Sequence, residues 1–314
     1  MPIVFFGSSE FSIASLKACL DSGIQVSLVI TTPDVQKGRG LQTQPTPVKI
    51  LAEKNNLPVI DPQKLKNTEI LENVKKISPD YFVVASYGKM IPSDWLKIPA
   101  KLAINVHPSL LPKYRGAAPI NWPILNGDTE TGLSLAEVTD KLDAGDIFYQ
   151  KKFPLSENDN AQTLGKKLED ASYEALKQTL LKLKAGETPP RTAQDETESC
   201  YARKLAKEDS AILWSRSALE INRQIRGLQP WPGTSTFFQG LPVQILEAKV
   251  SENTSAGKPG TIVHILKQSF SVQTGKGSIE ILRVKPAGKS EMSAGDFARG
   301  KRLEPGALFQ ESAS

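Results

Sequence analysis

Over roughly the first 188 residues, short apolar runs alternate with amphipathic stretches of helical period, and this alternation leaves few architectures open. Pro2 to Phe6 reads as an apolar strand, Ser12 to Leu20 as an amphipathic helix, Val26 to Ile30 as a second strand and Pro47 to Lys54 as a second helix. Strands recur at Pro58 to Ile60, Tyr81 to Ala85, Ala103 to His107 and Leu133 to Val138, and Ala161 to Lys184 reads as a long closing helix. Strand-helix repeats of this kind build an α/β, doubly wound parallel sheet. Such sheets take their ligands beyond the carboxyl ends of the strands. A nicotinamide dehydrogenase is the obvious rival for that architecture. Gly7-Ser8-Ser9-Glu10-Phe11 lacks the second and third glycines that let a pyrophosphate approach the backbone, which argues against it.

The pattern changes after residue 186. Gly186 to Ser199 is rich in Pro, Thr and acids without apolar period and reads as a linker, which divides the chain into a domain over 1–188, a connection over 189–203 and a second domain over 204–314. In that last part a helix around Ala218 to Ile225 precedes short alternating segments at Val243 to Val250, Thr261 to Leu266, Phe270 to Thr274 and Ser278 to Val284. Glycine-rich turns separate them, which is the rhythm of a small, OB-like β-barrel. The charge is uneven: residues 1–199 carry 23 Lys plus Arg against 24 Asp plus Glu, whereas residues 200–314 carry 16 against 10. A basic second domain beside a neutral first one suits a polyanion held by its phosphates, and solubility alone explains such a surplus as well.

Two cysteines, Cys19 and Cys200, give no disulfide framework and suit a reducing compartment. The opening Met1 to Phe6 is too short and uncharged for a targeting peptide, and no apolar run approaches the roughly 18 residues of a membrane span. A cytoplasmic protein without membrane association is expected. Only two histidines occur, so a multi-histidine metal site is excluded, and imidazole chemistry must use His107 or His264. His264 falls within an expected strand of the barrel and has no catalytic company.

His107 is better placed. Alternation along Leu102 to His107 puts Asn105 on the same face, and Pro108 keeps His107 extended and then sends Ser109 to Pro112 into a loop. An amide beside an imidazole at a strand's carboxyl end suits stabilisation of an oxyanion on an attacked carbonyl. Ser109 has no Gly-x-Ser-x-Gly elbow around it, so the nucleophile must come with the substrate. The acidic turn Asp140 to Asp146 follows the strand Leu133 to Val138, and if the two strands are neighbours a carboxylate can reach His107. Asp140, Asp143 and Asp146 all qualify by spacing. Pro33 to Pro47, with Lys37 and Arg39 between glycines, is an unusually long polar connection and is either flexible or functional.

The run Asn105-Val106-His107-Pro108-Ser109-Leu110-Leu111-Pro112-Lys113-Tyr114-Arg115-Gly116-Ala117-Ala118-Pro119-Ile120, then Asn126-Gly127-Asp128, Thr131-Gly132 and Leu142-Asp143-Ala144-Gly145-Asp146, resembles the signature of the folate-dependent formyltransferases. Val4-Phe5-Phe6-Gly7, Thr32-Pro33-Asp34, Gly38-Arg39-Gly40, Tyr201-Ala202-Arg203-Lys204, Ile225-Arg226-Gly227, Pro230-Trp231-Pro232-Gly233 and Phe297-Ala298-Arg299-Gly300 extend the likeness over nearly the whole chain. They point to the branch whose acceptor is methionyl initiator tRNA. Ser8-Ser9 and Asn121-Trp122 depart from that branch's usual pattern.

The resemblance implies a Rossmann-like catalytic domain with catalytic residues Asn105, His107 and Asp143. It implies a tetrahydrofolate carrier on Ser109, Leu110, Leu111 and Pro112, and tRNA contact through Lys37 and Arg39 in the basic loop. The formyl donor it implies is 10-formyltetrahydrofolate, with no metal. A formyltransferase for a small amine, such as a nucleotide-linked amino sugar, shares the core motif but needs neither the basic loop nor the basic barrel.

Overall fold

In the computed structural model, which describes residues 1–37, 42–251 and 257–312, the apolar run Pro2–Gly7 is strand β1 of a seven-stranded sheet. In chain order there follow α1 (Glu10–Asp21), β2 (Gln25–Ile30), β3 (Val35–Lys37), β4 (Gln42–Gln44), α2 (Pro47–Lys54), β5 (Val59–Ile60), α3 (Thr68–Ile77) and β6 (Tyr81–Ala85). Next come α4 (Ser93–Leu96), β7 (Leu102–His107), β8 (Arg115–Gly116), α5 (Asn121–Asn126), β9 (Glu130–Glu137), β10 (Ile147–Pro154), α6 (Ala161–Lys184) and β11 (Tyr201–Ala202). The remainder holds α7 (Ala218–Gly227), β12 (Ser235–Phe238), β13 (Leu241–Ser251), β14 (Ile262–Ile265), β15 (Phe270–Gln273), β16 (Ser278–Pro286), β17 (Met292–Ser293) and α8 (Ala294–Lys301). Met1–Pro119, Glu130–Pro154 and Gly165–Arg203 make up one unit, and Ile120–Thr129, Leu155–Leu164 and Lys204–Ser314 a second.

The large sheet of the first unit has the order β10-β9-β7-β6-β1-β2-β5. From β7 to β5 every neighbour is parallel, as the alternating pattern predicts. Leu133 to Val138, expected as one more strand of a parallel sheet, instead lies in β9 as far as Glu137, and β9 runs antiparallel to β7. Residues 108–129, which hold β8 and the six-residue α5, return the chain to the carboxyl end of β7, so that β9 starts where β7 stops, with Ser134 opposite His107 and Glu137 opposite Ile104. The chain therefore turns back, and β10, a mostly exposed edge strand, pairs antiparallel with β9.

Helices cover both faces of this sheet. Val4 and Phe6 of β1 pack with Phe82 of β6, Val74 of α3 and Trp95 of α4. On the other face Gly7 abuts α1: a Cβ there would come within 2.8 Å of the Ser12 Cβ, so no side chain fits. Ser12 itself ties α1 to the sheet by donating to the Ala85 carbonyl at 2.6 Å. The start of α2 is written in its sequence, with Thr46 accepting from the Lys49 N–H at 3.1 Å and Pro47 supplying a first turn that needs no donor.

The polar stretch from Pro33 to Pro47 contains the antiparallel pair β3 and β4, whereas residues 38–41, and with them Arg39, lie outside the described residues. Lys37 ends β3.

In the second unit an antiparallel sheet of order β12-β13-β16-β15-β14, with β17 beside β16, has the OB-like form expected of the carboxyl-terminal strands. Ile221 and Ile225 of α7, Phe297 of α8 and Val243, Ile245, Phe270 and Ile281 of the strands share its core. Trp214 is 1% exposed and its indole N–H donates to Thr236 at 3.0 Å, so the buried donor has a partner. His264 lies exposed on β14. Among the described residues no helix is long and apolar enough to cross a membrane.

Candidate active site

Because side chains alternate along a strand, Asn105 and His107 leave β7 on one face at its carboxyl end, and both meet the same carboxylate. Asn105 Nδ2 donates to Asp143 Oδ1 at 2.8 Å, and His107 Nδ1 lies 3.7 Å from Asp143 Oδ2. The Gly116 N–H donates to Asp143 Oδ2 at 2.8 Å. Of the three acids that spacing left open, it is Asp143 that reaches β7. Asp140 is exposed, and the Asp146 backbone carbonyl accepts from the Glu137 N–H at 2.9 Å. The turn is tight: Gly145 sits where a Cβ would meet the Glu137 carbonyl at 2.1 Å, and Asp143 adopts a left-handed φ of 51°.

His107 is 4% exposed, and its Nε2 lies 2.9 Å from the Tyr114 carbonyl. A carbonyl only accepts, so this contact assigns a proton to Nε2 and leaves Nδ1 as the nitrogen that faces Asp143. The ring is thus oriented chiefly by a backbone carbonyl, while the direct partners of the carboxylate are Asn105 and Gly116. Asn105 is half-buried and uses one of its two amide hydrogens on Asp143, so the other can meet a carbonyl oxygen.

The Ser109 to Pro112 turn follows directly. Ser109 is fully buried, and its hydroxyl donates to the Lys113 carbonyl at 2.7 Å. Ser134 of β9 donates to the Ser109 carbonyl at 2.7 Å and accepts from the Leu111 N–H at 3.1 Å. Leu111 is buried, and Leu110 packs against Gly132, where a Cβ would be 2.3 Å away. Leu110 and Pro112 remain half-exposed, so of this quartet they are the residues with surface left to meet a ligand. At the adjacent end of β6, Tyr87 is buried with no partner for its hydroxyl, and burial pushes its pKa up to about 12.

Two features here were not visible in the sequence. Arg115 is 2% exposed, and its guanidinium donates to Glu196 at 3.0 and 3.1 Å and to Gln194 at 3.1 and 2.8 Å. Its pKa is raised, mainly by the bond to Glu196. The segment expected as a linker is therefore fastened to the first unit, and β11 within it pairs with β8. At the base of the 33–47 stretch, Lys49 bridges Asp34 at 3.0 Å and Asp61 at 2.7 Å, and these bonds, Asp61 first, raise its pKa. Neither a polar run nor a charged triplet distant in sequence carries a periodic signal that would have exposed them.

The sequence matches the formyl transferase family over residues 1–180 and the formyl transferase C-terminal domain over residues 204–302. Fold and site together define a formyl transferase. Methionyl-tRNA formyltransferase of Geotalea uraniireducens is 40% identical, over 98% of this chain and 98% of that one. The enzyme of the same name from Caldanaerobacter subterraneus is 40% identical over 99% of this chain and all of that one, 100%. The chain belongs to the methionyl-tRNA formyltransferase family. Among solved structures, a sugar 3N-formyl transferase, WlaRD, superposes with a TM-score of 0.68 at 19% identity, over 92% of this chain and 99% of its own. HypX from Aquifex aeolicus, solved with tetrahydrofolic acid, gives 0.62 at 17% identity over 98% of this chain and 50% of that one.

Proposed function

We propose that this protein transfers the formyl group of 10-formyltetrahydrofolate to the free α-amine of methionyl initiator tRNA, in the cytoplasm. The observation that carries the chemistry is the Asn105–Asp143–His107 cluster at the end of β7, and full-length similarity to the methionyl-tRNA formyltransferases carries the choice of acceptor. The donor supplies a formyl carbon activated by its bond to a folate nitrogen. The acceptor's amine supplies the nucleophile, consistent with the absence of a serine elbow around Ser109.

The second Asn105 amide hydrogen meets the formyl oxygen as it gains negative charge, in a site where a fixed donor costs no reorganisation. His107 Nδ1, held in place through Nε2 and Tyr114, is the nitrogen available to give or take a proton. Asp143 aligns Asn105 and, through water, takes the proton that the attacking amine releases. A new C–N bond forms to the methionyl nitrogen, the bond from the formyl carbon to the folate nitrogen breaks, and that nitrogen leaves with a proton. Leu110 and Pro112 bound the carrier, Lys37 and Arg39 contact the acceptor stem, and the basic second domain holds tRNA by its phosphates.

The test is a side-by-side assay with 10-formyltetrahydrofolate and either methionyl initiator tRNA or an amino-sugar nucleotide. Formylation of the tRNA at a kcat/KM at least a hundredfold higher is expected. Preference for the sugar nucleotide refutes the assignment.

A further inference from the structure

Gln194 lies in a polar run without pattern, yet it ties the Asp143 turn to the rest of the first unit. Its Nε2 donates to the carbonyls of Asp143 at 2.9 Å and Gly145 at 2.7 Å. Its Oε1 accepts from Arg115 Nε at 3.1 Å and from the terminal guanidinium nitrogen at 2.8 Å. Carbonyls only accept and a guanidinium only donates, so the amide has one workable orientation, and all four contacts depend on it. Arg115 is itself buried, is anchored by Glu196, and immediately precedes Gly116, whose N–H binds the Asp143 carboxylate.

Asp143 is thus gripped at both ends, its carbonyl by Gln194 and its carboxylate by Gly116. Both grips lead back to Arg115. A non-glycine residue at a φ of 51° is uncommon and persists where its surroundings hold it.

We propose that Gln194 is a positioning residue for formyl transfer, locking the Asp143 turn against Arg115 so that the carboxylate stays on Asn105 and beside His107. The proposal rests on the role given to Asp143 above. It makes the segment after α6 a working part of the site instead of a tether. The side chain's chemistry is specific. Glutamate would keep the bonds from Arg115 but set an acceptor against two carbonyls, and alanine would lose both sets.

The experiment uses the full-length protein carrying Gln194→Ala or Gln194→Glu, each alone and combined with Asp143→Ala. Formyl transfer from 10-formyltetrahydrofolate to methionyl initiator tRNA is measured with amide hydrogen exchange at Gly116. Either single substitution should lower kcat by about tenfold with both KM values within about threefold, and the loss should shrink below about twofold when Asp143 is already alanine. Exchange at Gly116 should speed up by about tenfold while Phe5 and Val83 in the sheet keep their protection.

Equal losses in both backgrounds mean general damage and overturn the proposal, as does unchanged exchange at Gly116. Should Asp143→Ala turn over normally, the catalytic role of Asp143 falls, and Gly116 exchange alone then decides whether Gln194 holds the turn. Glutamate, close in volume, keeps the test informative if alanine impairs folding.

Discussion

Replacing Asp143 by asparagine isolates the carboxylate's charge from its shape. Asparagine tolerates the left-handed backbone that Asp143 adopts at φ 51°, so the turn itself should survive. The electrostatic loss is set by the 3.7 Å between Asp143 Oδ2 and His107 Nδ1. A unit positive charge at that distance gains about 4.5 kcal/mol at an effective dielectric near 20, and the 12% exposure of the carboxylate brings it nearer to roughly 3 kcal/mol. If that attraction acts in the transition state, about 3 kcal/mol corresponds to a rate loss of roughly a hundredfold or more.

A second effect acts on stability. The carboxylate accepts from Asn105 Nδ2 and from the Gly116 N–H, whereas a carboxamide offers one oxygen and must turn its own donors toward one of them. The mismatch costs about 1–3 kcal/mol and should lower the melting temperature by several degrees. The assay is single-turnover formylation at saturating donor and tRNA, with thermal unfolding alongside. A folded Asp143→Asn protein that reacts within about threefold of the parent rate would refute the electrostatic argument.

Gly116→Ala should both destabilise the protein and slow it. At a φ of 115° the residue is in glycine territory, and a Cβ would lie 2.8 Å from the Ala202 carbonyl, so thermal unfolding should fall by several degrees and kcat with it. Arg115→Lys retains the charge but loses the fork that serves Gln194 and Glu196 together; a loss of about 1–3 kcal/mol in denaturant unfolding is expected, and an unchanged midpoint would contradict the network. Arg39→Ala should weaken formylation of tRNA while sparing transfer to a small amine acceptor, and an equal loss with both would count against the loop's role. With a thiol reagent on the folded protein, exposed Cys200 should react at once. Cys19, whose thiol burial holds well above its usual pKa, should react only on unfolding.

What the sequence disclosed follows the range of the interactions. Asn105 and His107 were legible because their common face depends on alternation within one strand, a period of two residues that no distant partner can change. The parallel strands β1, β2, β6 and β7 were legible for the same reason, as buried apolar runs bounded by turns. The direction of β9 was not, because pairing direction depends on how the connection returns to the sheet. Its strand pattern is the same whichever way it runs.

Asp143 stands between these cases. Spacing alone could not separate it from Asp140 and Asp146, because its reach depends on one left-handed residue and on Gly145 closing against Glu137. Arg115 and Gln194 lie 79 residues apart, and Gln194 meets the Asp143 carbonyl across 51. A buried arginine and a bridging amide read in sequence like any solvated polar pair, because nothing periodic distinguishes a side chain with four fixed partners from one in water. Hydrophobic pattern therefore locates the platform of the candidate site, whereas the polar network around the Asp143 turn is specified pairwise. That is why the stretch 189–203, which shows no apolar period, carries Gln194, the side chain that binds the carbonyls of Asp143 and Gly145.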